Sequence, residues 1–94
     1  MITNRRTVQV KQHNMEALAA FVLAAGNAAG LTNRTRIYKA DLGARNILAY
    51  EIDFADILDY DQFWRNWAAG AAPEFFKEYE SLIERDLTNE IWER

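Results

Sequence analysis

Between Thr35 and Phe54 the chain runs through two stretches of two-residue period, joined around Leu42-Gly43-Ala44-Arg45, and this commits its middle to a β-hairpin with Gly43 marking the turn. In the second stretch, Asn46 to Phe54, one register is wholly apolar (Leu48, Tyr50, Ile52, Phe54), while the other reads Ile47, Ala49, Glu51 and Asp53. Side chains on a strand alternate across the sheet, so the first set needs a covering layer and the second forms a mixed face. A strand this apolar on one side is expected at the centre of its sheet. The preceding strand, Thr35 to Asp41, sets Arg36, Tyr38 and Ala40 on one face and Thr35, Ile37 and Lys39 on the other.

The flanking segments alternate strand and helix. Thr7 to Lys11 reads as a half-buried first strand. Asn14 is a suitable N-cap, after which Leu18, Phe21, Val22, Ala25 and Ala28 or Ala29 recur at helical spacing until Gly30, suited to a left-handed C-cap. After the hairpin, Asp56 can cap a helix with Ile57, Tyr60, Trp64, Trp67 and Ala68 in its apolar stripe and Phe63 beside them; Gly70 interrupts the pattern. Pro73 fits the first turn of a further helix whose apolar side carries Phe75, Phe76, Tyr79, Leu82 and Ile83. Thr88 to Trp92 returns to strand, with Ile91 and Trp92 on opposite faces.

The order strand, helix, strand, strand, helix pair, strand predicts an α+β, ferredoxin-like βαββαβ fold over residues 1–94 as one domain. Right-handed crossovers place the helices on one face of a four-stranded antiparallel sheet and leave the other face bare. The bare face is expected to be apolar enough to require a partner. A chain of 94 residues buries only about 60 to 70% of the surface its unfolded form exposes, and dimerisation would add stability.

Composition narrows the partners. Net charge is −3 with a pI near 5.1, the reverse of the basic footprint that attracts nucleic acid or anionic membrane. The RNA-recognition module shares this element order, but Gly43 to Tyr50 lacks its basic, glycine-containing aromatic strand. Met1 to Arg6 has no apolar run behind its arginines, and no stretch reaches the roughly 20 apolar residues of a membrane span, so a cytoplasmic location is expected. There is no cysteine and one histidine, His13, placed before the first helix, where it reads as a turn residue. Neither a metal nor any other cofactor is expected. Ser81 is the only serine and has no neighbouring histidine.

Arg36-Ile37-Tyr38, the strand Ile47 to Phe54, the helix Tyr60-Asp61-Gln62-Phe63-Trp64-Arg65-Asn66-Trp67, the restart Pro73-Glu74-Phe75-Phe76 and the closing Glu90-Ile91-Trp92 resemble the NIPSNAP group of the dimeric α/β-barrel superfamily. The resemblance covers nearly the whole chain. It implies a homodimer whose sheets pack into a barrel, with ligand space between each sheet and its helices, and it brings no dependable catalytic signature. Relatives in the wider superfamily include cofactor-independent monooxygenases and isomerase-like proteins.

The candidate pocket residues are therefore Arg36, Tyr38, Tyr50, Glu51, Trp64 and Trp67, able to hold a small apolar or aromatic ligand. The four aromatic residues of this set read either as pocket lining or as core packing. Glu51 and Asp53, with Arg36 on the neighbouring strand, read as a general base with a raised pKa, as a site for a polar ligand, or as cross-strand or intersubunit ion pairs that fix the register of a dimer. Three functions follow: an uncharacterised NIPSNAP-like homodimer with a small-molecule pocket, a cofactor-independent monooxygenase or isomerase acting on an aromatic or polyketide-like substrate, and a non-catalytic structural or binding homodimer.

Overall fold

Leu48, Tyr50, Ile52 and Phe54 are all buried, and residues of every helix pack against the core they form. The computed structural model describes residues 1–40, 46–69 and 72–94, with the side chains of 68, 69, 72 and 73 left aside. Its elements are β1 (Ile2–Val10), α1 (Met15–Ala28), a 3-10 turn (Thr32–Arg34), β2 (Thr35–Lys39), β3 (Ile47–Phe54), α2 (Ile57–Ala69), α3 (Ala72–Leu82) and β4 (Ile83–Glu93). The sheet order is β2-β3-β1-β4 with every neighbouring pair antiparallel, which is the expected ferredoxin-like α+β arrangement with β3 central. The expected turn at Gly43 and the interruption at Gly70 lie outside the described residues.

Both terminal strands are longer than their alternation foretells. β1 starts at Ile2 rather than Thr7, and its first half carries Thr3, Asn4, Arg5 and Arg6 opposite Asp53, Ile52, Glu51 and Tyr50 of β3. Polar pairing across the ladder extends the strand there, and hydropathy cannot register it. β4 spans Ile83–Glu93 rather than Thr88 to Trp92 and is mostly exposed at the sheet edge. Register shifts against β1, between Thr7 and Val8 and between Gln9 and Val10, break its two-residue rhythm. Ile83, expected on the helix, opens β4 opposite Val10 and is 6% exposed.

The helix boundaries have local causes. The Asp59 backbone N–H donates to Asp56 Oδ1 at 2.8 Å, and the Ala55 N–H donates to Asp59 Oδ2 at 2.9 Å, a reciprocal cap that starts α2. Ile57 stays 54% exposed, so the buried side of α2 begins at Tyr60 rather than at Ile57. Asn14 precedes α1 without a side-chain cap bond. Gly30 takes φ +78°, the left-handed conformation expected of it. His13 also has positive φ and sits exposed in the turn after β1.

Strand alternation then sorts the sheet into two faces. Ile2, Asn4, Arg6, Val8 and Val10 of β1 share the helix side with the apolar register of β3. Thr3, Arg5, Thr7 and Gln9 share the open side with Ile47, Ala49, Glu51 and Asp53. The open face corrects the expectation of an apolar surface, because its centre is a network of ion pairs.

Candidate functional site

The sheet divides the six candidate residues into two groups. Arg36, Tyr38 and Glu51 come together on the open face, whereas Tyr50, Trp64 and Trp67 come together beneath the helices.

On the open face the ladder sets Arg36 and Arg5 on either side of Glu51, and Thr3 beside Asp53. Arg36 holds Asp53 through two hydrogen bonds of 2.6 and 2.9 Å and donates its Nε to Glu51 at 3.1 Å. Arg5 donates to the other oxygen of Glu51 at 3.0 Å, and the Tyr38 hydroxyl donates to Glu51 Oε1 at 3.1 Å. Thr3 and Arg94 complete the shell of Asp53. The Arg36 hydrogen bonds are the main cause that holds the Asp53 carboxyl down at about 2, against an opposing push from burial. Burial pushes Glu51 up, but the hydrogen bonds from Arg5, Arg36 and Tyr38 outweigh it and leave the carboxyl below its ordinary value. Arg36 is in turn raised, chiefly by its bond to Asp53. Both carboxylates are thus charged and fully engaged at neutral pH, and a general base poised near neutrality would need the opposite shift. A shallow depression beside them is lined by Glu90, Trp92 and Arg94 as well as Arg5, Arg36 and Glu51.

Beneath the helices, Tyr50, Trp64 and Trp67 line an apolar cavity of about 40 Å3 together with Val22, Phe63 and Phe75. The wall is built from α2 residues at helical spacing, with Phe63 stacked on Trp67 at 5.9 Å and edge-on to Trp64 at 5.0 Å. Phe75 of α3 meets Trp67 edge-on at 5.1 Å, which ties the two helices together, and stacks on Tyr79 of its own helix at 5.4 Å. At Gly26, on α1, an added Cβ would lie 3.1 Å from Thr35 Oγ1, so glycine permits α1 to approach β2 closely.

The Tyr50 and Tyr79 hydroxyls share a buried hydrogen bond of 3.2 Å. Burial raises both phenols above their ordinary range, so both are neutral across the working pH of a protein. The Arg6 guanidinium lies 4.6 Å from the centre of the Trp64 ring. The Nε1 atoms of Trp64 and Trp67 and the Nε of Arg6 are buried without a hydrogen-bond partner among the described residues.

Arg6 and Tyr79 were not among the expected site residues. Tyr79 is indistinguishable by spacing from core residues of α3. Arg6 has a signal in retrospect: continuing the alternation of Val10 and Val8 back along β1 puts Arg6 on the helix side, opposite Tyr50. Among the described residues there is no group of three or more His, Cys, Asp or Glu side chains able to hold a metal ion. None of their helices is long and apolar enough to cross a membrane.

No protein-family model matches the sequence, and no curated protein matches it. Solved structures do resemble it over nearly its full length. A NIPSNAP family protein from Agrobacterium tumefaciens str. C58 is 18% identical, with a TM-score of 0.77 covering 97% of this chain and 90% of that one. An uncharacterized NIPSNAP domain protein from Burkholderia xenovorans is 14% identical, with a TM-score of 0.77 covering 100% of this chain and 94% of that one. A NIPSNAP-like domain protein from the same organism is 17% identical, with a TM-score of 0.78 covering 99% and 84% of the two chains. What is shared at these identities is the fold, and the fold of this chain is that of the solved NIPSNAP-family and NIPSNAP-like proteins.

Proposed function

We propose that this chain is a NIPSNAP-like homodimer that binds a small, largely apolar molecule between its sheet and its helices. The observation that carries the proposal is the pair of buried, unpartnered indole N–H groups of Trp64 and Trp67, two residues whose side chains line an apolar cavity. A buried donor without a partner costs about 1–3 kcal/mol, and a bound acceptor removes that cost. The cavity of about 40 Å3 exceeds the roughly 10–15 Å3 that holds one water, but is far below the roughly 300 Å3 where ligand pockets begin. The occupant is therefore either a molecule of a few heavy atoms or one that parts the α2 and α3 rings as it enters. In the dimer the open sheet faces meet, and the Arg5, Arg36, Glu51 and Asp53 network sets their register. A reducing, cytoplasmic setting fits a chain without cysteine.

Among the described residues the cavity lining carries no carboxylate or imidazole, and burial raises the nearby phenols; both favour binding over monooxygenase or isomerase chemistry. The small size of the cavity favours a second reading, a homodimer with no ligand. Tryptophan fluorescence, followed while quinones and polyketide-like aromatics are added, separates the two. Saturable quenching that weakens in Trp64→Phe supports the ligand reading. No response across the panel, with the dimer intact by size exclusion, supports the second.

A further inference from the structure

We infer that the molecule taken up in the Tyr50, Trp64 and Trp67 cavity is an anion, a small apolar body bearing a carboxylate or enolate, and that Arg6 supplies the matching charge. This rests on the binding reading above and adds the chemical class of the ligand. Trp64, Trp67 and Tyr50 line the cavity, Arg6 lies against the Trp64 ring and Tyr79 bonds Tyr50, and in this group unpartnered donors outnumber unpartnered acceptors. Two indole N–H groups and the Arg6 Nε are buried without partners. The Tyr50 and Tyr79 hydroxyls share a single hydrogen bond in which either can be the donor, so that bond leaves one phenolic proton unused. Among the described residues the one orphaned buried acceptor is Asn4 Oδ1, and the amide nitrogen of that side chain donates to Asn89 and Glu90 on the β4 side.

Charge points the same way. Arg6 makes no ion pair among the described residues, in contrast to its β1 neighbour Arg5 and to Arg36 on β2, each of which holds carboxylates. Its guanidinium lies 4.6 Å from the centre of a ring that lines the cavity. The charged group facing the two phenols from β4 is Asp86, which acts on both of them but forms no ion pair with Arg6. A cation set against aromatic surface in a partly dry space gains most from an anion that arrives with its own apolar body. Water in the cavity would satisfy the indoles and leave the charge unmatched.

Isobutyrate and benzoate, each measured against its neutral amide, test the inference by tryptophan fluorescence and calorimetry. Each acid should bind about tenfold more tightly than its amide, a Coulombic preference at intermediate dielectric. Arg6→Gln should bring acid and amide to within about twofold of each other, while Arg6→Lys keeps the preference. Trp64→Phe should weaken both ligands. Equal binding of acid and amide by the unmodified protein would overturn the inference and leave the binding reading standing. So would a preference that persists in Arg6→Gln. Absence of binding by all the probes would remove both. The comparison of acid with amide needs no variant, so it stands even where Arg6→Gln folds poorly.

Discussion

Asp53→Asn removes the charge that Arg36 and Arg94 converge on while keeping a side chain able to accept from Thr3. The carboxyl sits at about 2 in the folded protein against an ordinary 3.8. At roughly 1.4 kcal/mol per pH unit, that gap sets an upper bound of about 2–3 kcal/mol on what ionised Asp53 contributes. Its side chain is 19% exposed but that of Arg36 is 39% exposed, and screening by water brings the expectation to about 1–2 kcal/mol. Because the folded value is depressed, this contribution is fully present above the unfolded pKa. It is lost as pH falls through the unfolded value and on toward 2. Urea denaturation of both proteins between pH 7 and pH 2 reads this directly. The variant should be less stable by about 1–2 kcal/mol at pH 7, and the two curves should converge at the acid end. A difference that stays constant from pH 7 to pH 2 would refute the reasoning, because the lost stability would not then come from the ionised carboxylate.

Phe54, 1% exposed and in ring contact with Tyr60 and Phe63, anchors β3 to α2; Phe54→Ala should cost about 3–5 kcal/mol by denaturant titration. Asp56→Ala removes the cap on α2 and should lower stability by about 1 kcal/mol with little change in the helical circular dichroism. Ala49, 5% exposed between Thr7 and Tyr38 on the open face, is central to the proposed dimer contact. Ala49→Arg should give monomer or insoluble protein on size exclusion, whereas Lys77→Ala on the exposed side of α3 should leave the profile unchanged.

Much of the architecture could be read from residue patterns because burial imposes them. The apolar register of β3 and the Leu18, Phe21 and Val22 spacing of α1 follow from the need to cover one side of the sheet. The extents of β1 and β4 were obscured because backbone pairing and polar cross-strand contacts hold them, and β4 meets β1 through two register shifts. The site was legible in its parts and not in its grouping. Arg36, Tyr38 and Glu51 announce themselves by charge and alternation, and Tyr50, Trp64 and Trp67 by aromatic spacing. Composition alone does not reveal that a sheet stands between them. Arg6 was hidden for a related reason: nothing in Asn4-Arg5-Arg6 alternates in hydropathy, so its side of the strand follows only when the Val10 and Val8 alternation is carried back through that polar run, in agreement with the pairing to β3.

The side-chain N–H resonances of the three tryptophans give the most direct measurement of whether the space beneath the helices receives a small molecule. Trp64 and Trp67 line that space, and Trp92 lies exposed at the C-terminal end of β4, beside the open face. Titration with benzoate and with benzamide in a nitrogen-15 correlation spectrum should shift the Trp64 and Trp67 indole signals together, with saturation, and leave Trp92 in place. Movement of Trp92 with the other two unchanged would put the ligand on the open face. No movement of any of the three at saturating concentration would contradict a ligand site beneath the helices altogether.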